Sequence, residues 1–491
     1  LLPIITLYPL TYLKKKNGMS FYKINTFLTL FFLIVNSSFS QSKYTLLECI
    51  QLAKNNNPEN KIAALQWKIS KVDYSNAKTS LLPTLSFNAN QGYNMGRSID
   101  RFTNQFVNRT IQSDFFSLGS SLILFNGFQM QNNIKFQRTL SQSTYKELET
   151  KNNQIALNVS SSFLNVLLSK EIVSGYQSQI ENTQLQLERT RKMTNAGAID
   201  RSILLALESQ LANEELALIE STNQLRLNKV NLQNLCLFKE LGDWDIIAPV
   251  MEEMPLYKTF VLDEVYQKAL QIMPEIENNR LRVAASEYQT KMAKGMRSPT
   301  IAFNANMNTV YSENALQVVS AVPTGTQVVG FVRGTNDIVE FPTYSVDTRI
   351  IPFDQQVRNN FGQTIGFSLS WNIFNGMNVN NNIKRSELQE EIQLNYYALA
   401  KNNLLANVNK SITDYEGSWS RWKASQKAEE SALLQYEFAN KKFENGLIHS
   451  FEFLNAKNQY TQATIKTVQA KYQYLFNKMI LEFYMGNGIG L

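Results

Sequence analysis

The sequence predicts a mostly α-helical fold with a smaller β part, built twice within one chain. Three observations predict it. ILFNGFQMQNNIK, from Ile123, recurs as NIFNGMNVNNNIK, from Asn372, 249 positions later. Two stretches of 69 residues, 128–196 and 377–445, hold no proline and one glycine each, Gly175 and Gly417. Just ahead of each recurring segment, apolar and polar residues alternate with period two, the pattern of a half-buried strand.

The N-terminal region comes first. Lys23 precedes the apolar run Phe27 to Val35, and the small residues Ser38 and Ser40 follow. This is the layout of a secretory signal, with a start expected at Met19 and cleavage after Ser40, so 1–40 is set apart as a signal region. A run of nine residues is too short to span a bilayer. Removing it takes away Lys14, Lys15, Lys16 and Lys23 and no acid, and the net charge falls from +7 to +3. No basic tract remains to suggest nucleic-acid binding. Beyond it, no apolar run is long enough for a membrane-spanning helix. A membrane location would therefore require a β-barrel or a peripheral attachment.

The duplication then runs through the chain. Pro58 matches Pro274, and PTLSFNAN from Pro83 matches PTIAFNAN from Pro299, both at an offset of 216. Phe125 matches Phe374 and Gly197 matches Gly446 at an offset of 249, so the second copy holds an insertion of 33 residues within about 308–362. The first repeat is 44–236, the second is 261–491, and 237–260 connects them. Each repeat opens with a helical stretch, about 45–80 and about 261–297.

Strands come next. Leu85, Phe87, Ala89, Tyr93 and Met95 share one face, and Ser86, Asn88, Asn90, Gly92 and Asn94 the other. Ile301, Phe303, Ala305 and Met307 repeat the pattern. After a loop (about 96–114, and 308–362 in the second copy), Phe116, Leu118, Leu122 and Leu124 form the apolar face of another strand. Ile365, Phe367, Leu369, Trp371 and Ile373 are its counterpart. The apolar faces suit either a protein core or lipid, and the lengths suit tilted membrane strands.

Each 69-residue stretch is a rod of roughly 100 Å if helical. It ends at a glycine, Gly197 or Gly446, as a helix C-terminus does. A return helix follows. Leu204, Leu211, Leu218, Leu225 and Leu232 recur every seven residues, which specifies a left-handed coiled coil. Phe453, Tyr460, Thr467, Tyr474 and Leu481 form a less regular seam in the second copy. The return helix and the helix before the strands together nearly match one rod in length, so stacked end to end they would run beside it. Four strands cannot close a membrane barrel, because the smallest have about eight. If lipid covers them, several chains share one barrel.

The signal region, the repeated order of helix, two strands, long helix and return helix, and the hairpins NAGAIDRSILLA and NGLIHSFEFLNA resemble the TolC-like outer membrane efflux proteins. The likeness covers about 44–491, and GRSIDRFTNQF from Gly96 resembles a first surface loop of Bacteroidetes members. The resemblance implies a homotrimer whose twelve strands form one barrel in outer-membrane lipid. Its helices would form a hollow periplasmic cylinder, with the 237–260 connector at its equator. It implies an exit duct, for efflux or type I secretion, served by a periplasmic adaptor and an inner-membrane RND or ABC pump. The competing readings are a periplasmic coiled-coil scaffold without channel activity, favoured by the leucine heptads, and a surface adhesin.

The family places acids six and nine positions after the second hairpin glycine. Counting from Gly446 reaches Glu452 and Asn455, and six after Gly197 is Ile203. These three are the candidate pore constriction, with only Glu452 acidic. The adaptor-docking tip would comprise Asn195, Gly197, Ala198 and Ile199, with Lys442, Phe443, Asn445, Gly446, Leu447 and Ile448. No catalytic, cofactor or metal set is legible. His449 is the single histidine, and Cys49 and Cys236 lack metal spacing. Both cysteines read as buried small apolar residues, with a disulfide left open.

Overall fold

The computed structural model describes residues 42–99, 106–108, 110–197, 199–237, 244–248 and 257–488. The signal region and most of the 237–260 connector lie outside them. The first half holds β1 (Ser42–Tyr44), α1 (Leu46–Asn56), α2 (Pro58–Thr79), β2 (Thr84–Asn94), β3 (Arg97–Ile99), β4 (Phe106–Asn108), β5 (Ile111–Phe125), α3 (Gln129–Asn195) and α4 (Arg201–Cys236). The second holds β6 (Trp244–Ile246), α5 (Leu262–Ile272), α6 (Pro274–Gly295), β7 (Thr300–Ser312), β8 (Leu316–Phe331), β9 (Ile338–Ile350), α7 (Phe353–Asn359), β10 (Gly362–Ser370), α8 (Asn378–Glu444) and α9 (Ser450–Tyr484).

The helical stretches expected at 45–80 and 261–297 are each two helices. Pro58 and Pro274 open the second helix of each pair, a position where the missing N–H leaves no bond unmade. Thr45 and Glu48 form a capping box that starts α1. The rods α3 and α8 have 67 residues each. Helices of 11, 22 and 36 residues (α1, α2, α4) run beside α3. Helices of 11, 22 and 35 residues (α5, α6, α9) belong to the second half, where α8 packs against all three. The end-to-end stacking expected from length holds, with joints where α1 touches α4 and α5 touches α9.

Two apolar clusters lie midway along the rods. One gathers Ile155, Val159, Phe163 and Val166 of α3 with α1, α4, Trp244, Ile246 and Met479. The other gathers Val408, Tyr415 and Trp422 of α8 with α5 and Tyr474. Here β1 pairs in parallel with β6, and Tyr44, Trp244 and Ile246 pack into the first cluster. Cys49 and Cys236 are buried free thiols in the first cluster. The Cys236 thiol donates to the Cys49 carbonyl at 3.5 Å. The neighbouring Cys49 side chain and burial push its pKa up. Of the leucine heptad, Leu232 is buried and Leu204, Leu211, Leu218 and Leu225 are half-buried, while Leu207 is fully enclosed.

The strands β10, β7, β5 and β2 form one antiparallel sheet in that order. Its apolar face carries Leu85, Phe87, Leu118, Leu122, Phe303, Met307, Ile365 and Phe367. Its polar face carries serine, asparagine, glycine and threonine, with Ser121 bonded to Asn304 at 2.9 Å and Asn304 to Ser368 at 2.9 Å. The two hairpins are in identical register. Gly119 opposes Ser86, and their counterparts Ser368 and Ala302 oppose each other.

Two expectations are corrected. β10 stops at Ser370, so Trp371 and Ile373 lie beyond it. β5 begins at Ile111, inside the expected 96–114 loop, and β3 pairs with β4 there. The longer surface loop expected at about 308–362 has secondary structure of its own. It holds the antiparallel ribbon β8–β9 followed by α7, and the valine, isoleucine, threonine and aromatic residues of both strands favour extended backbone.

FNG has a geometric reason. Asn126 accepts the Met130 N–H through its side chain at 3.4 Å, bonding into the first turn of α3. Gly127 and Phe128 both take left-handed backbone, φ 67° and 60°, which turns the strand into the rod.

Candidate functional site

The far ends of the rods carry the predicted site. α3 ends at Asn195, and Gly197 adopts φ +74° with its N–H on the Thr194 carbonyl at 3.0 Å. Asp200 caps α4 by accepting the Ser202 N–H at 2.7 Å, and that bond lowers the Asp200 pKa. Ile199 and Ile203 are half-buried. Ala198 lies outside the described residues.

α8 ends at Glu444, and Gly446 adopts φ +69°. The Leu447 N–H reaches the Lys442 carbonyl at 2.8 Å, the long bond of a Schellman closure. Lys442, Asn445 and Leu447 are exposed, and Ile448 is half-buried. Phe443 is different. Its ring stacks on the fully buried Phe453 at 4.7 Å, so it closes the α8–α9 hairpin from within. Tyr436 stacks on Tyr460 at 5.7 Å further up the hairpin. Glu452 is the third residue of α9, exposed, and well placed against the helix dipole. Asn455 is exposed on the same helix. Ile203 sits in the first turn of α4, so the three candidate constriction residues come from two separate hairpins.

Sequence reasoning missed the link between those hairpins. Lys457 of α9 pairs with Glu214 of α4 at 3.0 Å, with side chains 5% and 3% exposed. Thr183 of α3 donates to Glu214 and accepts from Lys457. Gln179 and Gln210 each donate to Glu214 at 2.9 Å. Burial lowers the Lys457 pKa, and the Glu214 charge opposes that shift. The available signal was spacing. Lys457 follows Phe453 by four positions and Glu214 follows Leu207 by seven, so both fall on inward faces. Gln186 to Asn440 at 3.1 Å and Lys471 to Glu171 at 3.2 Å add further ties between the halves. Among the described residues, no group of three His, Cys, Asp or Glu could hold a metal ion, and no helix is long and apolar enough to cross a membrane.

The sequence profile of the family described as outer membrane efflux protein matches residues 49–236 and 265–487, both repeats in turn. The chain belongs to the outer membrane efflux protein family. It is 22% identical over 459 residues to the outer membrane protein TolC of Escherichia coli (strain K12), covering 92% of this chain and 83% of TolC. Its fold is similar to that of CusC, a transmembrane channel (TM-score 0.73, 14% identity, 91% of this chain and 93% of that one). It is also similar to the Campylobacter jejuni CmeC outer membrane channel (TM-score 0.69, 14% identity, 90% and 86%). The open Neisseria gonorrhoeae MtrE outer membrane channel compares at TM-score 0.67, with 15% identity and coverage of 90% and 88%. As a member of the efflux family, the chain is an outer-membrane exit channel with its helical part in the periplasm. The scaffold alternative finds no support. With the family assigned, the apolar sheet face is the lipid face and the polar face lines water.

Proposed function

We propose that three copies close into one duct, a twelve-stranded barrel continued by a cylinder of rods, that carries substrates from an inner-membrane RND or ABC pump and a periplasmic adaptor to the outside. One observation carries the trimer: the two halves of the chain interlock, and the duplicate surfaces are left open. Within the chain, α6 packs against both α3 and α8, and β5 pairs with β7. The equivalent helix α2 packs on α3, and its outer stripe of Ile62, Leu65, Ile69 and Val72 is 55–61% exposed. The α8 stripe of Leu388, Ile392, Tyr396 and Leu399 is 45–55% exposed. Ser143 of α3 meets Asn278 of α6 at 2.5 Å. Shifted by the repeat offsets, that contact becomes Ile392 on Ile62 of the next copy. The open strands β10 and β2 bear the same relation, and lipid does not tolerate open edges.

Glu452, Asn455 and Ile203 form the constriction in this account, and the exposed tip residues Lys442, Asn445 and Leu447, with Gly446, Ile448, Asn195, Gly197, Ala198 and Ile199, receive the adaptor. Phe443 supports the same surface through its stack on Phe453. Three Glu452 carboxylates around the aperture favour cations. Glu452→Gln is expected to lower cation preference in single-channel recordings about threefold, the scale of about 0.6 kcal/mol for an exposed charge. Unchanged conductance and ion preference would remove Glu452 from the constriction. The assembly itself is tested by native mass spectrometry of the mature protein in mild detergent. Three chains per particle are expected, and a monomer or dimer from the soluble periplasm would overturn the duct.

A further inference from the structure

The β8–β9 ribbon is amphipathic along its whole length. Its register places Leu316, Val318, Ala321, Pro323, Thr326, Val328 and Phe331 on one face with Ile338, Glu340, Pro342, Tyr344, Val346, Thr348 and Ile350. Glu340 is the one charged side chain there. The other face holds Gln317, Ser320, Gln327, Thr343, Ser345, Asp347 and Arg349, with Val322, Val339 and Phe341 among them. Register shifts fall between Val318 and Ser320, Pro323 and Gly325, and Val328 and Gly330. Each restores the apolar side chains of β8 to the face set by β9, so the segregation is maintained by three bulges. Yet Val318, Phe331, Ile338 and Tyr344 are 51–65% exposed. An isolated two-stranded ribbon is marginal in water, and an uncovered apolar face of this extent calls for a partner.

The root of the ribbon indicates which partner. The Ala315 N–H bonds the Ser312 carbonyl at 3.1 Å, a turn between β7 and the ribbon, which forms a sheet of its own. At the same root, where the chain leaves β9, α7 packs on the lipid face of the sheet. Phe353 lies 6.0 Å from Phe116 and 5.3 Å from Tyr311, and Thr309 donates to the Val357 carbonyl at 2.8 Å. The buried Gln356 side chain binds the Ser312 N–H at 2.9 Å, the Ser312 carbonyl at 3.0 Å and the Ile351 carbonyl at 2.7 Å. Both strands of the ribbon are thereby anchored to one rigid point on the lipid side of the barrel wall, away from the lumen.

We propose that the ribbon lies on the outer surface of the bilayer, its Val328 face in lipid and its Ser345 face in water, as an interfacial brace around the barrel. This rests on the outer-membrane assignment and adds a lipid-contacting element outside the barrel strands. Phe353, three residues beyond the end of β9, packs on the apolar lipid face of the sheet, so the ribbon departs from the side of the wall where an interfacial amphipathic element lies.

The test uses the full mature protein in vesicles of phosphatidylethanolamine and phosphatidylglycerol. Val328→Cys or Ser345→Cys is labelled with a polarity-sensitive fluorophore. The native cysteines are buried, and unsubstituted protein is the labelling control. Nitroxide-labelled lipids are expected to remove about half of the emission at position 328 and little at 345, with the reverse pattern for aqueous iodide. Equal iodide quenching at both positions would overturn the proposal. So would cross-linking of Val328→Cys between copies by a short bis-maleimide, which would make the partner a second chain. Native mass measured on the same samples reports the trimer separately, so failure of the brace and failure of the duct are distinguishable.

Discussion

Replacing Lys457 with methionine is expected to destabilise the rods by about 3–5 kcal/mol, because it leaves the Glu214 carboxylate charged and buried without its partner. Thr183, Gln179 and Gln210 still bond Glu214, but none brings a positive charge. The pair joins the first hairpin to the second, so its loss loosens them from each other. Combining Lys457→Met with Glu214→Gln is expected to recover most of the stability, since neither side chain then carries charge. Urea unfolding followed by helical circular dichroism separates the variants. The sign of the pH dependence follows from burial, which holds Lys457 below its ordinary value of 10.5. Between the two values the unfolded chain binds the extra proton, so wild-type stability rises with pH across that window. The Lys457→Met variant loses that slope. If it unfolds at the wild-type urea concentration, the pair does not hold the hairpins.

Gly127→Ala is the second large effect. A Cβ there would lie 2.2 Å from the Gly295 carbonyl oxygen, and one at Gly295 would lie 2.4 Å from the Gly127 oxygen. The end of α6 and the start of the first rod touch backbone to backbone, and neither can move without shifting a helix. Positive φ adds strain for a residue with a side chain. A loss of about 3 kcal/mol is expected, read from the same urea curves. Gly376 is the repeat counterpart, and among the described residues no atom comes within 4 Å of where its Cβ would stand. Its neighbour by the repeat offset is Thr79 of the next copy. Gly376→Ala should therefore weaken assembly more than folding, and equal losses in the chain's own stability would argue against that difference.

Much of the architecture was legible because it is written in period and repetition. Two proline-free stretches gave the rods to within a residue at each end. The pair of offsets also reproduces the hairpin register, since a sheet with one apolar face fixes its pairing. The prolines at 58 and 274 match by offset, but their role as helix starts depends on where the preceding turn stops. The ribbon was hidden by its bulges, which break simple alternation on β8 while β9 keeps it. At the tip, glycine spacing located both turns. It could not tell that Phe443 stacks inward on Phe453, because an aromatic beside a turn suits a docking surface and an internal stack equally. The Lys457–Glu214 pair joins residues 243 positions apart, a separation at which charge pattern alone specifies no partner.

The central claim is that the two open sides of one chain join the open sides of its neighbours. The in-chain pairing of Gly119 with Asn306, carried through the repeat offsets, sets Ser368 of one copy opposite Asn90 of the next. Directly opposed residues have Cβ atoms about 5 Å apart. The decisive measurement is oxidative cross-linking of the Asn90→Cys, Ser368→Cys double variant in outer membranes, with each single variant as control. A ladder ending at three chains, seen only in the double variant, is the predicted result. Monomer alone, with both thiols accessible, would contradict the shared barrel.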